Sequence, residues 1–300
     1  MQHLIAPWYF STCDPGRDIG TRAQAALEVA FPPKKRREVL TYFSDVILRY
    51  VMDHINNSTP ESLTDSSMCT ASEAEDRYER VISGSFAALA RFVRWMFPLP
   101  PPSGTPFAKG GQPLPLPAAT VEYMSDTLNI SFFKKTTSKR AYVRYGALDV
   151  LTAVCEHAPH LILTPSADDV LDPVCTAETS ISTKKNKPSS LARLSMIVCN
   201  AFVNEKEANN MSSSFRAFLS FVKTYPMSWK HLDLEVIIKR LLDLLTRSVE
   251  KESVLIEMAM SYVLPILAAV PLTSVRYYHK RVLDLFETLG SVTLLPRFLK

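Results

Sequence analysis

The segment Ala30-Phe31-Pro32-Pro33-Lys34-Lys35 joins two amphipathic stretches and constrains the fold more than any other feature of the chain. The stretch before it carries apolar residues at helical spacing from Ile19 to Phe31, and the stretch after it carries them from Val39 to Ile55. Proline lacks a backbone N–H and restricts the residue before it, so the proline pair must end the first helix. The pattern therefore predicts one helix followed by another around a sharp joint.

Glycine is scarce, with 8 residues in 300, about a third of the average frequency. Sheets, barrels and nucleotide-binding folds need glycine for tight turns and close backbone approach, so its scarcity favours helices. Short amphipathic helices must bury their apolar faces against neighbours, and short connections make those neighbours antiparallel. Helix pairs recur at about the 40-residue spacing of HEAT arrays. We therefore predict an all-α fold, a HEAT/armadillo-like α-solenoid of antiparallel helix pairs, with a compact helical bundle as the alternative.

The distribution of proline and polar residues predicts the domain organisation. Between residues 98 and 117 there are eight prolines and three glycines, which indicates an inserted loop or linker. Residues 164–188 are polar and contain proline, and we expect poor order there. The remaining segments, 1–97, 118–163 and 189–300, are predicted to be HEAT-like repeats, a HEAT-like helix pair and further helical repeats, respectively.

Cysteine use and hydropathy indicate the compartment. The five cysteines are widely spaced without a C-x-x-C pair, which suits a reducing environment in which most act as small buried hydrophobes. The first residues after Met1 show neither the basic region nor the long apolar region of a signal peptide. The longest apolar run, Tyr262–Leu272, is about half the length of a membrane span and contains two prolines. We expect a cytosolic protein with no membrane partner.

Two groups of basic residues are the candidate partner-binding sites. The first group is Lys34, Lys35, Arg36 and Arg37, and the second is Lys134, Lys135, Lys139, Arg140 and Arg144. The first group lies at a predicted helix N-terminus, where cations oppose the helix dipole, and a phosphate-rich partner or a transport receptor would explain its presence. Neither group has interleaved aromatic residues, so contact with a nucleic-acid backbone is favoured over base stacking. The alternative for each group is a solvated basic turn.

Sequence patterns of catalysis are weak in this chain. Neither the P-loop pattern nor the G-x-G-x-x-G pattern occurs, so no phosphate-cradling loop is predicted. His157 and His160 lie near Cys155, but Pro159 separates them and no second ligand cluster matches zinc spacing; we interpret them as a helix end that exposes two histidines. We predict no catalytic residue, no cofactor and no metal ligand in these residues, and we expect the tryptophans to fill gaps between helices.

Several ordered pieces of the sequence resemble one known family. These pieces are Cys13-Asp14 through Ala26, Ala30 to Lys34, Thr59 to Asp65, Glu73-Ala74-Glu75 leading to Tyr78 and Val81, Ala88-Leu89, and a second block from Phe132 to Leu161. In order and spacing they are similar to the N-terminal HEAT-repeat region of listerin, the large RING-type E3 ubiquitin ligase of ribosome-associated quality control.

The resemblance implies a cytosolic helical arm that docks on the large ribosomal subunit and on ribosome quality-control factors, with contact to the rRNA backbone as one possibility. In that family a C-terminal RING recruits the ubiquitin-charged E2 and holds two zinc ions through paired cysteines and histidines. The 300 residues contain no such pairs, so we expect no ubiquitin transfer and no zinc in this chain alone. The alternative functions are an unrelated HEAT adaptor, such as an importin-like carrier, and an enzyme with its own active site.

Overall fold

Helices account for all of the regular secondary structure that the computed structural model describes, over residues 2–65, 67–99, 115–162, 189–247, 257 and 259–271. No strand occurs in these ranges. The prediction of an all-α fold is confirmed. Contacts divide the chain into two compact units, residues 1–164 and 165–300. The division lies close to the predicted boundary at 163–164, although the finer predicted boundaries stay predictions.

The first unit contains eight α-helices within its described residues, and short 3₁₀ turns separate some of them. They are α1 Gln2–Ser11, α2 Arg17–Ala30, α3 Pro33–Tyr42, α4 Ser44–Asn57, α5 Ala71–Met96, α6 Ala118–Thr127, α7 Ile130–Phe133 and α8 Ala141–His157. In the second unit the described α-helices are α9 Ser190–Asn204, α10 Ala208–Thr224, α11 Leu234–Arg247 and α12 Leu264–Ala269. A π-helical turn, Ala259–Val263, leads directly into α12.

Local sequence sets where the main helices begin. Thr70 and Glu73 form a capping box at the start of α5, where each side chain accepts a hydrogen bond from the other residue's backbone N–H. Before α2, the Asp14 carboxylate accepts a hydrogen bond of 2.7 Å from the Gly16 N–H. Pro32 precedes α3 as its cap and Pro33 occupies the first turn, so the proline pair both ends α2 and starts α3.

Successive helices of the first unit form antiparallel pairs. In the first pair, α1 and α2, the Trp8 indole N–H donates to the Ala23 carbonyl at 3.3 Å, and Gly20 lies against the turn that follows α1. In the second pair, α4 and α5, the Phe10 ring of α1 contacts His54 near the end of α4 and also faces Gly84 in the middle of α5. These contacts place the end of each first helix beside the start or middle of its partner.

The pairs stack in the same sense along the first unit. Ser44 in α4 contacts Thr120 in α6, and five residues later the guanidinium of Arg49 lies 4.9 Å from the ring centroid of Tyr123, so α4 and α6 are parallel. Likewise α5 and α8 are parallel, because Glu75 contacts α8 near its start and Phe97 accepts a hydrogen bond from His157 at its end. Antiparallel pairs stacked in parallel define an α-solenoid arrangement. The assignment of the pairs to HEAT repeats in particular stays a prediction.

The closest helix contact in the first unit joins α5 to α8. A Cβ atom at Gly146 would lie 2.5 Å from both Cβ and Cγ of Phe86, so only glycine allows this approach. Arg94 and Asp149 pair across the same interface, with a second hydrogen bond of 3.3 Å between Nη1 and Oδ2. Tyr9 of α1 inserts from the other side of α5, where its hydroxyl donates to the Ala88 carbonyl at 3.0 Å.

The structure corrects three expectations about the helices. The apolar stripe from Val39 to Ile55 predicts one continuous helix, but the helix breaks at Phe43, where Tyr42 and Phe43 form an edge-on ring pair. The residues Gln2–Ser11 form a helix, α1, that the sequence patterns did not indicate. The apolar spacing from Ser253 to Val270 predicts one regular helix, but its described residues contain the π-helical turn before Leu264.

Phenylalanine side chains form the core of the second unit. Phe202 of α9 stacks on Phe218 of α10, with ring centroids 4.4 Å apart, and contacts Phe215 edge-on. Trp229 lies edge-on to Phe218 and is buried, as Trp8 and Trp95 are partly buried against Phe31 and Tyr9 in the first unit. The expectation that the tryptophans fill gaps between helices is confirmed for Trp8 and Trp229, whereas Trp95 packs on Tyr9 and stays partly exposed.

Some sequence predictions lie outside the described residues. They include most of the proline-rich segment, the polar loop from 164 to 188, and the helix that the apolar spacing from Ser274 to Leu289 predicts.

Candidate functional site

The first basic cluster divides between solvent and the protein interior. Lys35 is exposed at the start of α3, whereas the side chain of Arg36 is only 17% exposed and lies 3.5 Å from the Glu28 carboxylate. Arg37 donates from Nη2 to the Met96 carbonyl at 3.3 Å, at the end of α5. The side chain of Lys34 lies outside the described residues. Four adjacent cations therefore do not form one exposed patch.

Burial affects the pKa of Arg37 and the hydrogen bonding of both Arg36 and Arg37. It lowers the pKa of Arg37, because desolvation disfavours the charged guanidinium. The Nε atoms of both Arg36 and Arg37 are inaccessible to solvent and have no hydrogen-bond partner among the described residues. Buried donors of this kind are usually paired, and an unpaired one calls for an explanation.

These arginines line a groove bounded by α2, α3 and α5. The groove has two adjoining depressions of about 310 and 460 Å³, and Trp95 lines both of them. The smaller depression is formed by Arg36, Arg37, Leu40, Arg94, Trp95, Met96 and Pro98, and the larger by Thr12, Gly20, Thr21, Gln24, Ala25, Glu28, Arg91 and Trp95. Both volumes are within or near the size range of ligand-binding clefts.

Lysines of the second cluster contribute most of its exposed charge. Lys134 and Lys139 are exposed, whereas Lys135 is half-buried and desolvation lowers its pKa. Like Lys35, the two exposed lysines leave their ammonium groups free to approach a partner surface.

The arginines of the second cluster are engaged within the fold. Arg140 forms an ion pair with Glu75 at 3.1 Å, and its guanidinium lies 4.7 Å from the ring centroid of Tyr78. Arg144 donates from Nη1 to the carbonyls of Ser138 and Lys139. These bonds fix the start of α8 against the start of α5.

Tyr142 completes the contact between α5 and α8. Its hydroxyl donates to the Glu75 carboxylate at 3.0 Å. Burial, followed by this hydrogen bond, raises the pKa of Tyr142 far above its usual value. The phenol therefore acts as a neutral structural donor.

The structure does not bring the two predicted clusters together. Arg37 contacts the C-terminal end of α5 at Met96, and Arg140 contacts its N-terminal part at Glu75. At 1.5 Å per residue, these contact points are about 30 Å apart along the helix. The sequence patterns distinguish none of the nine basic residues from the others and do not point to Gln24, Arg91 and Trp95, which line the groove. Gln24 lies on α2 and the other two lie on α5, so the spacing of residues within one helix cannot show that they meet.

The described histidine, cysteine and carboxylate side chains do not cluster in the way that metal ligands do. Among the described residues, no group of three or more His, Cys, Asp or Glu side chains could hold a metal ion. His157 is not simply exposed, as the sequence predicted: its Nδ1 lies 2.8 Å from the Phe97 carbonyl. His160 is exposed but lies edge-on to the Phe97 ring, 5.5 Å between centroids, so both histidines pack on the end of α5.

Burial makes most of the described cysteine thiols poor nucleophiles. It raises the pKa of Cys13 and Cys155, and it raises the pKa of Cys199 to about 11, whereas Cys69 is half-buried in a loop. Thiolate is the reactive form, so a pKa near 11 leaves about one thiol in a thousand ionised at pH 8.

We therefore expect maleimide to label Cys69 at least tenfold faster than Cys155 in the folded protein at pH 8. Peptide mapping by mass spectrometry measures both rates, and labelling in urea provides the control in which the rates converge. Equal rates in the native state would contradict the burial of Cys155.

The described part of the chain contains no helix long and apolar enough to cross a membrane. Fold and surface together define an all-α protein of the α-solenoid class, whose described residues include a groove and exposed lysines. A family model described as the N-terminal domain of the E3 ubiquitin-protein ligase listerin matches residues 1–256. The chain belongs to this family, and the match extends through the first unit into the second.

Named relatives agree with this family assignment. The chain is 23% identical to the E3 ubiquitin-protein ligase listerin of Xenopus tropicalis over 163 residues, which is 54% of this chain and 9% of the relative. It is 23% identical to the mouse protein of that name over 167 residues, again 9% of the relative, and 29% identical to the Gallus gallus protein over 93 residues, 31% of this chain and 5% of the relative. The chain thus aligns with a small fraction of each relative's length. No solved structure matches it.

Proposed function

We propose that this chain is the helical scaffold of a listerin-like E3 ubiquitin ligase and acts in ribosome-associated quality control. In this proposal it docks on the large ribosomal subunit in the cytosol, so that stalled nascent chains are ubiquitinated for degradation. The observation that carries the proposal is the family match over residues 1–256, together with a fold made of stacked helix pairs. Scaffolds of this kind present extended surfaces rather than a reactive pocket.

Ubiquitin transfer itself would belong to another part of a longer protein. The relatives are named as E3 ubiquitin-protein ligases, and they are much longer than the aligned region. A RING with its zinc ions would engage the E2, and no C-x-x-C pair is present in these 300 residues to supply one. The scaffold's contribution is position, because holding the ligase at a fixed site on the ribosome raises the local concentration of its catalytic part.

Three exposed lysines are the proposed contacts with rRNA phosphates. Lys35 lies at one end of the first unit's α5, and Lys134 and Lys139 lie towards the other end. Lysine ammonium groups bind phosphate as point charges and need no fixed geometry. Arg140 and Arg144 are assigned lesser roles in phosphate contact, because each has a partner within the fold. Arg36 and Arg37 are assigned lesser roles because they lie back from the exposed surface, in the groove between α2, α3 and α5.

We expect the triple variant K35Q/K134Q/K139Q to bind isolated large ribosomal subunits at least tenfold more weakly at 100 mM salt. Each lost phosphate contact lowers the slope of log K against log salt by about 0.7 to 0.9, so the variant should lose roughly 2 units of slope. Cosedimentation of the 300-residue chain across a salt series measures both quantities.

The matched control is K206Q/K223Q/K230Q, which removes the same charge from exposed positions of the second unit. This control should bind within twofold of the parent chain. An equal loss in both variants would indicate unspecific attraction to RNA, and no loss in the first would remove these lysines from the interface. Failure of the parent chain to cosediment at low salt would contradict ribosome docking.

A further inference from the structure

The groove between α2, α3 and α5 combines apolar and basic surfaces. The apolar lining of the smaller depression consists of Leu40, Trp95, Met96 and Pro98. The guanidinium groups of Arg36 and Arg37 lie beside it. Apolar clefts with a few polar groups that converge on them are typical of binding sites. The α5–α8 side of α5 is packed tightly around Gly146, whereas its α2 side stays open as this groove.

Unpaired polar atoms concentrate at this groove. Of the buried side-chain atoms without a hydrogen-bond partner among the described residues, all of those in the first unit belong to Gln24, Arg36 and Arg37. Arg36 and Arg37 offer Nε donors, and Gln24 offers its Oε1 acceptor, because its Nε2 already donates to Glu28 at 2.8 Å. These three atoms are closed to solvent, so a ligand in the groove would meet the Nη atoms of the two guanidinium groups rather than the Nε atoms.

The charge of the groove favours an anionic ligand. Arg36, Arg37 and Arg91 line it together with Glu28, whose carboxylate lies 3.5 Å from Arg36. Arg94 also lines it and is paired with Asp149 of α8. Arg91 donates to the Thr12 carbonyl at 3.0 Å and lies over the Trp95 ring, so its charge is held at the floor of the groove.

We propose that this groove binds an extended acidic peptide segment of a partner protein, with carboxylates at Arg36 and Arg37 and an apolar side chain against Trp95. Planar guanidinium groups match carboxylates in charge and geometry. This binding goes beyond ribosome docking and uses different side chains from Lys35, Lys134 and Lys139.

The same features argue against nucleic acid as the occupant. An RNA backbone offers phosphate acceptors, and its phosphates would meet the Glu28 carboxylate at the junction of the two depressions. It would also leave Trp95 and Pro98, the more exposed apolar side chains of the smaller depression, without an apolar partner. A peptide that alternates acidic and apolar residues meets both requirements.

The test uses the full 300-residue chain and a fluorescein-labelled twelve-residue probe in which Asp and Glu alternate with Leu and Phe. Fluorescence anisotropy should give saturable binding at micromolar to submillimolar concentration. Probes with Lys in place of the acids, or Ser in place of Leu and Phe, should bind at least tenfold more weakly. A labelled oligouridine of the same length should bind more weakly still and should not displace the peptide.

Variants locate the binding. R36Q/R37Q should weaken peptide binding at least tenfold, and R36K/R37K should weaken it about threefold, because lysine keeps the charge but loses the planar guanidinium fork. The matched control R22Q/K35Q removes two exposed charges outside the groove and should change affinity less than twofold. Circular dichroism confirms that each variant is folded.

Three results would overturn the peptide site. They are no binding of the acidic–apolar probe up to 1 mM, an equal loss in the groove variant and the control variant, and displacement of the probe by oligouridine. The last result would assign the groove to nucleic acid. Ribosome cosedimentation of R36Q/R37Q separates the two proposals, because a peptide site predicts binding within threefold of the parent chain while the lysine variant loses it.

Discussion

Gly146→Ala is expected to destabilise the first unit by about 3 kcal/mol, although alanine is the better helix former by roughly 1 kcal/mol. The added Cβ would lie 2.5 Å from Cβ and Cγ of Phe86, and a Cβ is fixed to the backbone, so α5 and α8 must move apart. Separation would also weaken the Arg94–Asp149 pair and the bonds at Glu75. Urea unfolding followed by circular dichroism measures the loss.

Gly84→Ala is the matched control, because it places the same Cβ in the interior of α5. There the new atom would meet Cζ of Phe10 at 3.3 Å, the far end of a side chain that can shift. We expect a change within about 1 kcal/mol, of either sign. A double variant, Gly146→Ala with Phe86→Gly, should be less destabilised than the sum of its parts, because it removes both clashing atoms. Equal effects at Gly84 and Gly146 would contradict the close α5–α8 contact.

Tyr9→Ala is expected to lower the free energy of unfolding by about 4 kcal/mol. Tyr9 is fully buried and lies edge-on to Phe92 and Trp95, so its removal leaves a cavity where α1 packs on α5. The loss should separate the first helix pair from the second and raise the susceptibility of α1 to proteolysis. Urea unfolding and limited trypsin digestion report the two effects independently.

Tyr9→Phe provides the control that isolates the hydroxyl. It keeps the ring and removes only the 3.0 Å bond to the Ala88 carbonyl, so we expect a cost of about 1 kcal/mol. The helix carbonyl retains its place in the α5 backbone ladder, which limits the penalty. If Tyr9→Phe cost as much as Tyr9→Ala, hydrogen bonding rather than ring packing would join the first two helix pairs.

Sequence signals predicted helix ends correctly where the interaction that sets the end joins residues close together in the chain. Pro32 and Pro33 end one helix and start the next at the predicted place, because proline acts on its own backbone and the residue before it. Glu73, Glu75 and Asp76 are acidic residues that predict a helix start, because they complement the helix dipole, and Glu73 forms the capping box of α5. The break at Phe43 was not predicted, because nothing in the apolar spacing distinguishes a bent helix from a straight one.

The candidate site was predicted only in part. The sequence does not distinguish Lys35, Arg36 and Arg37, which are three adjacent basic residues. Each step along a helix, however, turns the side chain by about 100°. Lys35 therefore faces solvent, while Arg36 and Arg37 turn towards α2 and α5. The partners that decide this, Glu28 and Met96, are distant in sequence, and no local pattern connects them to the cluster.

The sequence by itself determined the all-α class, the positions of several helix ends and the family, because propensity, capping and family motifs are local or ordered along the chain. Tertiary structure alone decided which cations remain available, where the groove opens and how closely α5 approaches α8. Those properties depend on contacts between residues far apart in the chain, such as Phe86 with Gly146 and Arg37 with Met96. Burial and hydrogen bonding at such contacts set the exposure and charge of each side chain, and these decide what the surface can bind.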